Sequence, residues 1–422
     1  MNITLLNQYY APDEAATAQV LADLGSSLAA EGHAVTAICG DRAYADPSRR
    51  YPRREVIDAV AVKRIPITGF GRSSALGRST DYGSFVAGAT VTMLRGPRPD
   101  VIISLTTPPM IALAGAFAAR VRGAKALLWS MDVYPDLLFA LGALRERSAL
   151  GRALRLLSRM TIRSQHIVVA LGESMAERLR ANGAHCVQVV HNWSDESAIV
   201  PVPTADSALR GEWGWQNRFV VLYSGNLGRA HDFDTVLHAA QRLRREREIH
   251  FAFVGAGPQL AYVQRRREEM ELQNVEIRPP VSRDLLNDNL AAGDVHLVTM
   301  KDGAPGLLVP SKIYGILAAG RPAIYVGPAK GEVFEIISSG RCGTHVAIGD
   351  ADGLAAAIRR YQCQPALREE EGRRARELFE ERFTKRRAMA EFRGILESLS
   401  NAKAPVASTS GARPSADNTT AQ

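Results

Sequence analysis

A serine–lysine pair, Ser311-Lys312, heads the small-residue segment Pro305-Gly-Leu-Leu-Val-Pro-Ser-Lys-Ile-Tyr-Gly-Ile-Leu-Ala-Ala-Gly-Arg-Pro322. A helix opening after Pro310 and stopping at Gly320 would aim backbone N–H groups, the Ser311 hydroxyl and the Lys312 ammonium at one point. The positive end of the helix dipole would lie behind them, which makes an anion pocket suited to phosphate. Gly315, Ala318 and Ala319 leave one side of that helix without bulk, so a backbone or a flat ligand can approach beside Tyr314. The same residues also fit an ordinary capped helix following a strand, with Lys312 in a surface ion pair. A second chemical candidate is Asp132, at the end of the apolar run Leu-Leu-Trp-Ser-Met-Asp. A carboxylate there can orient or deprotonate an acceptor hydroxyl, or it can cap the helix that follows.

Such residues need rigid elements behind them. Phe219 to Ser224 is an apolar run of buried-strand type that breaks at Gly225-Asn226-Leu227-Gly228-Arg229, followed by helical spacing through Phe233, Val236, Leu237, Ala240 and Leu243. Strand, glycine turn and helix recur at 249–267, where the turn is Gly255-Ala-Gly257-Pro. That turn lacks the third glycine of a dinucleotide fingerprint, because Leu260 stands in its place. Across the chain, strands are predicted at about 2–7, 34–39, 60–65, 100–105, 125–130, 166–170 and 187–190. After a polar connector near 194–216 they resume at 219–223, 249–254, 274–277, 294–298, 322–326 and 344–347. Helices alternate with them, which predicts two α/β domains of Rossmann-like kind in tandem, with ligands beyond the carboxyl ends of the strands. The expected division is 1–195, 196–380, a closing helix 381–400 that returns to the first domain, and a disordered tail 401–422 poor in large apolar residues.

The 422 residues carry a net charge of +8 and 46% hydrophobic content, enough for two full cores and an attraction to anionic partners. Nucleic acid is a poor candidate, since aromatics are 6% of the chain and no stacking motif is visible. The stretch 144–163 puts Leu150, Leu154, Leu157 and Met160 on one helical face and Arg152, Arg155, Arg159 and Arg163 mostly on another. Arg72 and Arg78 add to that side. This basic amphipathic helix suits an anionic membrane surface, or a solvated protein surface. The apolar stretch Met110 to Val121 is too short to span a bilayer. The opening Met-Asn-Ile-Thr-Leu-Leu-Asn has no secretory pattern, and Cys39, Cys186, Cys342 and Cys363 show no metal-ligand spacing; both predict a cytoplasmic protein. His166, His250 and His296 lie in strand-like runs and are expected to be buried or satisfied.

Almost the whole chain resembles the retaining glycosyltransferases of family 4. The resemblance rests on Gln8-Tyr-Tyr-Ala-Pro-Asp13, Gly32-His-Ala-Val-Thr36, Trp129-Ser-Met-Asp-Val-Tyr-Pro-Asp136, Val190-His-Asn-Trp193, Ser224-Gly-Asn-Leu-Gly228, Val254-Gly-Ala-Gly-Pro258 and Pro310-Ser-Lys312, in that order. It is nearest the branch that builds exopolysaccharide, colanic-acid-like and O-antigen units. The resemblance implies the GT-B fold, with two Rossmann-like domains facing each other across a cleft. It implies a nucleotide-sugar donor, a lipid-diphosphate-linked acceptor, a site at the inner face of the cytoplasmic membrane, and no metal or other cofactor. Donor contacts would come from Gly225, Asn226, Arg229, His231, Gly255, Gly257, Ser311, Lys312, Tyr314 and Gly315. The family's pair of glutamates is replaced by Leu307 and Gly315, which passes ribose recognition to Glu332 or to backbone groups. Its usual arginine and lysine on the glycine loop fall on Asn226 and His231, so the phosphate role passes to Arg229 and Lys312. Met131 replaces a histidine that often precedes Asp132, and Glu14-Ala-Ala16 replaces a glycine opening loop. A UDP-sugar 2-epimerase and a catalytically silent scaffold are the alternatives on the same fold.

Overall fold

The computed structural model describes residues 1–70 and 75–401. Arg72 and the expected tail after Asn401 lie outside the described residues. Fourteen strands follow one another: β1 Asn2–Leu6, β2 Ala34–Gly40, β3 Arg54–Ile57, β4 Val60–Ile65, β5 Val101–Ser104, β6 Lys125–Trp129, β7 Ile167–Ala170, β8 Val187–Val189, β9 Phe219–Ser224, β10 Ile249–Val254, β11 Val275–Arg278, β12 Val295–Thr299, β13 Ala323–Val326 and β14 Gly343–Val346. They form an eight-stranded sheet in the order β3-β4-β2-β1-β5-β6-β7-β8 and a six-stranded sheet in the order β11-β10-β9-β12-β13-β14. The central strands β5, β6, β7 and β12 are mostly apolar and buried or nearly so along their length, as strands covered by helices on both faces must be.

Every named pairing is parallel except β3 with β4. β3 is the one strand that the run-length reading does not anticipate. It reads Arg-Glu-Val-Ile, half-exposed at a sheet edge, and joins β4 through Asp58-Ala59, both at positive φ (48° and 62°). That is the backbone of a two-residue hairpin turn, made without the glycine that would announce it.

Order reverses between β2–β1 and β5 in the first sheet, and between β10–β9 and β12 in the second, which opens a crevice at each switch point. The chain crosses between the sheets through His191, Asn192 and Trp193 and comes back in the last helix, Lys385–Asn401. That helix buries Phe392 edge-on to Trp129, with ring centroids 4.7 Å apart, and Trp129 stacks on Trp193 at 5.5 Å. Lys385 Nζ reaches Asp23 in the helix after β1, at 3.1 Å. The lobes also meet face to face: the Val133 amide, just past β6, donates to the Leu307 carbonyl at 2.8 Å, and Asp132 bridges Leu308. Among the described residues no helix is long and apolar enough to cross a membrane.

Candidate active site

The switch point of the second sheet gathers most of the predicted donor residues. β9 ends at Ser224 and turns through Gly225; its neighbour β12 ends at Thr299 and leads through Pro310 into the helix Lys312–Ala318. Lys312 points inward from the first position of that helix. Its Nζ donates to the Tyr223 hydroxyl at 3.0 Å and stands 4.5 Å from the Tyr223 ring centroid. The same nitrogen is 3.4 Å from His231 Nε2, and a Cβ on Gly225 would meet the Lys312 side chain at 3.5 Å. The ammonium thus stands beside His231 but is delivered by a different element.

The proton positions follow from the partners. His231 Nδ1 lies 2.5 Å from the Thr299 carbonyl oxygen, which can only accept, so Nδ1 holds the ring proton and Nε2 offers its lone pair to Lys312. The Tyr223 hydroxyl donates to the Asn226 carbonyl at 2.8 Å and so has lone pairs left for the lysine. Burial lowers the Lys312 pKa to about 7. Burial, followed by the Lys312 charge, pushes His231 down to about 3, so the imidazole is neutral. His231 therefore has its one N–H committed to Thr299 and offers its other nitrogen to the lysine. Sequence reading missed Tyr223 and Thr299. Both sit in strand runs where only their polar tips distinguish them from core.

The other candidates divide. Asn226 and Arg229 are exposed on the turn after β9, and among the described residues Arg229 makes no ion pair. Ser311 is exposed at the head of the lysine helix and makes no side-chain cap there. Gly255 and Gly257 are not ligand-facing openings. A Cβ on Gly255 would stand 2.0 Å from the Gly225 carbonyl oxygen, and one on Gly257 would stand 2.7 Å from Leu227 backbone atoms. Their missing side chains let one glycine turn lie directly on the other. Tyr314 is wholly buried, its ring 5.2 Å from Phe383, so it supports the helix from behind. The open side of Gly315 meets Leu290, Ser194 and Ile199 at ordinary contact distance, which gives that space to the crossover segment and not to a ligand.

Glu332, first residue of the helix Glu332–Gly340, reaches across to the other lobe. Its Oε1 lies 3.1 Å from His191 Nδ1, and a Cβ on Gly172 would meet its Oε2 at 2.0 Å. Gly172 has extended backbone that any residue could adopt (φ 176°), so its glycine is there for room. Burial by itself opposes charging of His191, but the hydrogen bond and charge of Glu332, with the Leu171 carbonyl, outweigh it and raise the imidazole pKa. Glu332 is thus a contact between lobes. Leu307, at the other glutamate position, is buried in the first lobe's core.

Asp132 lies in the facing lobe. The helix after it, Asp136–Ala140, is capped at Pro135, so the capping role does not apply. Its backbone N–H donates to Thr106 Oγ1 at 3.3 Å, and burial raises its pKa to about 6. Asp132 borders a small cavity shared with Thr106, Met110, Tyr134, Ser158 and Thr161. A half-buried carboxyl titrating near 6, on the loop that bridges Leu308 four residues before Lys312, can take a proton from a hydroxyl brought between the lobes.

The arginine helix, Ala149–Arg163, opens on Ser148, whose Oγ accepts from the Gly151 amide at 3.0 Å. Its buried side is Gly151, Ser158, Thr161 and Ile162. Leu150, Leu156 and Met160 are more than half exposed and share the outer surface with Arg152, Arg159 and Arg163. The apolar and basic residues are therefore not on opposite faces as the spacing predicted. The three expected structural histidines are engaged: His166 Nδ1 accepts from the Ala126 amide, His250 pairs with Glu276, and His296 bonds the Leu290 carbonyl. His166 is nonetheless exposed.

Residues 16–193 match the family described as Glycosyl transferase 4-like domain, and residues 218–362 match Glycosyl transferases group 1. A protein of Escherichia coli (strain K12), whose name assigns it to colanic acid biosynthesis as the glycosyl transferase WcaI, is 30% identical over 352 residues, covering 80% of this chain and 86% of that protein. The chain belongs to the group 1 glycosyl transferases. The glycosyltransferase has the GT-B fold, and solved structures share its architecture throughout. Sucrose-phosphate synthase from Thermosynechococcus elongatus superposes with a TM-score of 0.76 at 16% identity, over 96% of this chain and 100% of that one. HepE of Anabaena, in complex with UDP-glucose, has a TM-score of 0.72 at 17% identity, over 94% and 100% of the two chains.

Proposed function

We propose that this glycosyltransferase moves a sugar, with retention at the anomeric carbon, from a nucleotide-diphosphate donor to a lipid-diphosphate-linked saccharide in bacterial surface-polysaccharide synthesis. The observation that carries the reading is the inward Lys312 ammonium at the β9–β12 switch point, across the interlobe contact from Asp132. Negative charge grows on the departing diphosphate as the donor sugar becomes oxocarbenium-like, and a fixed cation in a partly dry crevice stabilises it better than water does. Lys312 supplies that charge, with Arg229 and the Ser311 amide as further donors, and no step requires a metal. Asp132, near its pKa at neutral pH, orients or deprotonates the acceptor hydroxyl. The exposed Leu150, Leu156 and Met160 among arginines would hold the enzyme at the anionic inner leaflet of the cytoplasmic membrane, where such acceptors reside. The name of the WcaI relative supports the polysaccharide assignment, and the UDP-glucose held by HepE supports the class of donor.

The test is a thermal-shift screen of UDP-, GDP- and dTDP-sugars followed by turnover of whichever binds, with and without EDTA. Binding lost and turnover abolished in Lys312→Ala supports the assignment; unchanged donor turnover in that variant overturns it. Donor converted to its epimer without acceptor would instead favour a 2-epimerase. Sedimentation with phosphatidylglycerol vesicles, and its loss on replacing Arg152 and Arg159 by Glu, tests the membrane placement.

A further inference from the structure

Lys312 is held by two acceptors and no carboxylate, an arrangement that says more than where a phosphate binds. Nε2 of His231 can only accept, because Nδ1–H is committed to Thr299. The Tyr223 hydroxyl has given its proton to Asn226 and likewise accepts. A neutral amine has two N–H bonds, and these neighbours, at 3.4 Å and 3.0 Å, take both, leaving a lone pair toward the crevice. An ammonium has a third N–H in that direction.

We infer that Tyr223 and His231 are positioning residues: they consume two N–H groups of Lys312 and leave its third, present only on the ammonium, as the one directed at the donor diphosphate, so that the diphosphate enters together with a proton from solvent. This rests on the donor-site reading above. The groups around the lysine agree with it. Tyr223 on β9 has its pKa raised by burial and stays neutral, and His231 on the turn after β9 is neutral as well. Lys301, past the end of β12, adds a smaller charge effect that disfavours protonation of His231, and Arg229 is exposed on the glycine turn. The balance at Lys312 is close enough to neutrality for an entering anion to decide it. Full charge on the lysine thus arises when the phosphates that need it arrive.

The experiment is calorimetric titration of the full chain with UDP-glucose, GDP-mannose and dTDP-glucose between pH 6 and 9, in buffers of differing ionisation enthalpy. For the sugar that binds, the wild type should take up part of a proton at pH 7, approaching one by pH 8, and lose affinity about tenfold per pH unit above the break. Tyr223→Phe and His231→Leu each remove one acceptor from the ammonium. They should move the break to lower pH, weakening binding about tenfold at pH 8 and much less at pH 6. His231→Gln, whose carbonyl can accept again, should restore the wild-type profile, and Tyr223→Phe alone decides the matter if His231→Leu does not fold. Equal weakening at every pH, or an unmoved break, overturns the inference. Lys312→Met binding as tightly as the wild type, or no sugar nucleotide binding at all, overturns the donor-site reading beneath it. Lys312→Met losing affinity while the breaks of the other variants stay put overturns the positioning inference alone.

Discussion

Replacing Lys312 by methionine should separate stability from function in opposite directions, and the separation should depend on pH. Methionine matches the length and flexibility of the lysine stem and needs no proton partners. For function, loss of one preorganised donor to a developing anion is expected to lower kcat by about 10²–10³-fold. For stability, the native pKa of Lys312, about 7, lies below its usual 10.5. Between those values the unfolded chain binds more protons than the folded one, so the wild type gains stability as pH rises through the window. Its penalty is fully present below about pH 7 and gone above about 10.5. At about 1.4 kcal/mol per pH unit the penalty amounts to about 4 kcal/mol at neutral pH, and about 2 kcal/mol of it disappears between pH 7 and 9. Methionine has no such term, and the loss of donors to Tyr223 and His231 is the same at every pH. Urea unfolding of both proteins at pH 7, 8 and 9 should therefore show the wild type improving on the variant by about 2 kcal/mol across the range. Parallel stability curves would refute the inward, desolvated lysine, whatever the effect on turnover.

Asp132→Asn should leave stability at pH 7 unchanged or slightly higher. The native carboxyl pKa is raised to about 6, so the ionised side chain is a burden that appears as pH climbs from 3.8 through 6. Transfer should drop by about 10²–10⁴-fold, and the acid limb of the wild-type rate profile should fall near pH 6; a variant with normal kcat removes Asp132 from the chemistry. Gly255→Ala would place a methyl 2.0 Å from the Gly225 carbonyl, so the two glycine turns must part. A rise in donor Kd should accompany a lowered Tm, and wild-type values for both would show that the turns are not packed as described. Phe392→Ala empties the space against Trp129 and should cost about 3–5 kcal/mol in chemical denaturation; a loss under 1 kcal/mol would mean that the closing helix is not docked on the first lobe.

Strands with continuous apolar runs were legible because burial on both faces leaves little choice of residue, and thirteen of the fourteen were placed within a residue or two. β3 escaped because an edge strand with one wet face carries no such run, and because its turn uses Asp58-Ala59. On the arginine helix, spacing identified an amphipathic pattern but not which side faces the protein. Leu150, Leu156 and Met160 are directed outward while the side bearing Gly151, Ser158, Thr161 and Ile162 packs on the lobe, where the Ser158 hydroxyl donates to the Tyr134 carbonyl. Glycine was read correctly as a sign of close approach, yet what approaches is the neighbouring turn at Gly255 and the crossover segment at Gly315.

Order along the chain therefore determined the two-lobed α/β architecture, the glycine turn after β9 and the cation at the head of the Lys312 helix, since these depend on local periodicity and on residue chemistry within a few positions. Only the tertiary structure decided that Lys312 shares one small space with Tyr223, His231 and Thr299, and that Glu332 belongs to the opposite lobe's His191. Those neighbours lie 89, 81, 13 and 141 positions away in sequence, and their proton roles follow from which atoms can only accept. Hydrogen-bond direction and burial are properties of assembled surroundings, and no spacing rule along the chain encodes them.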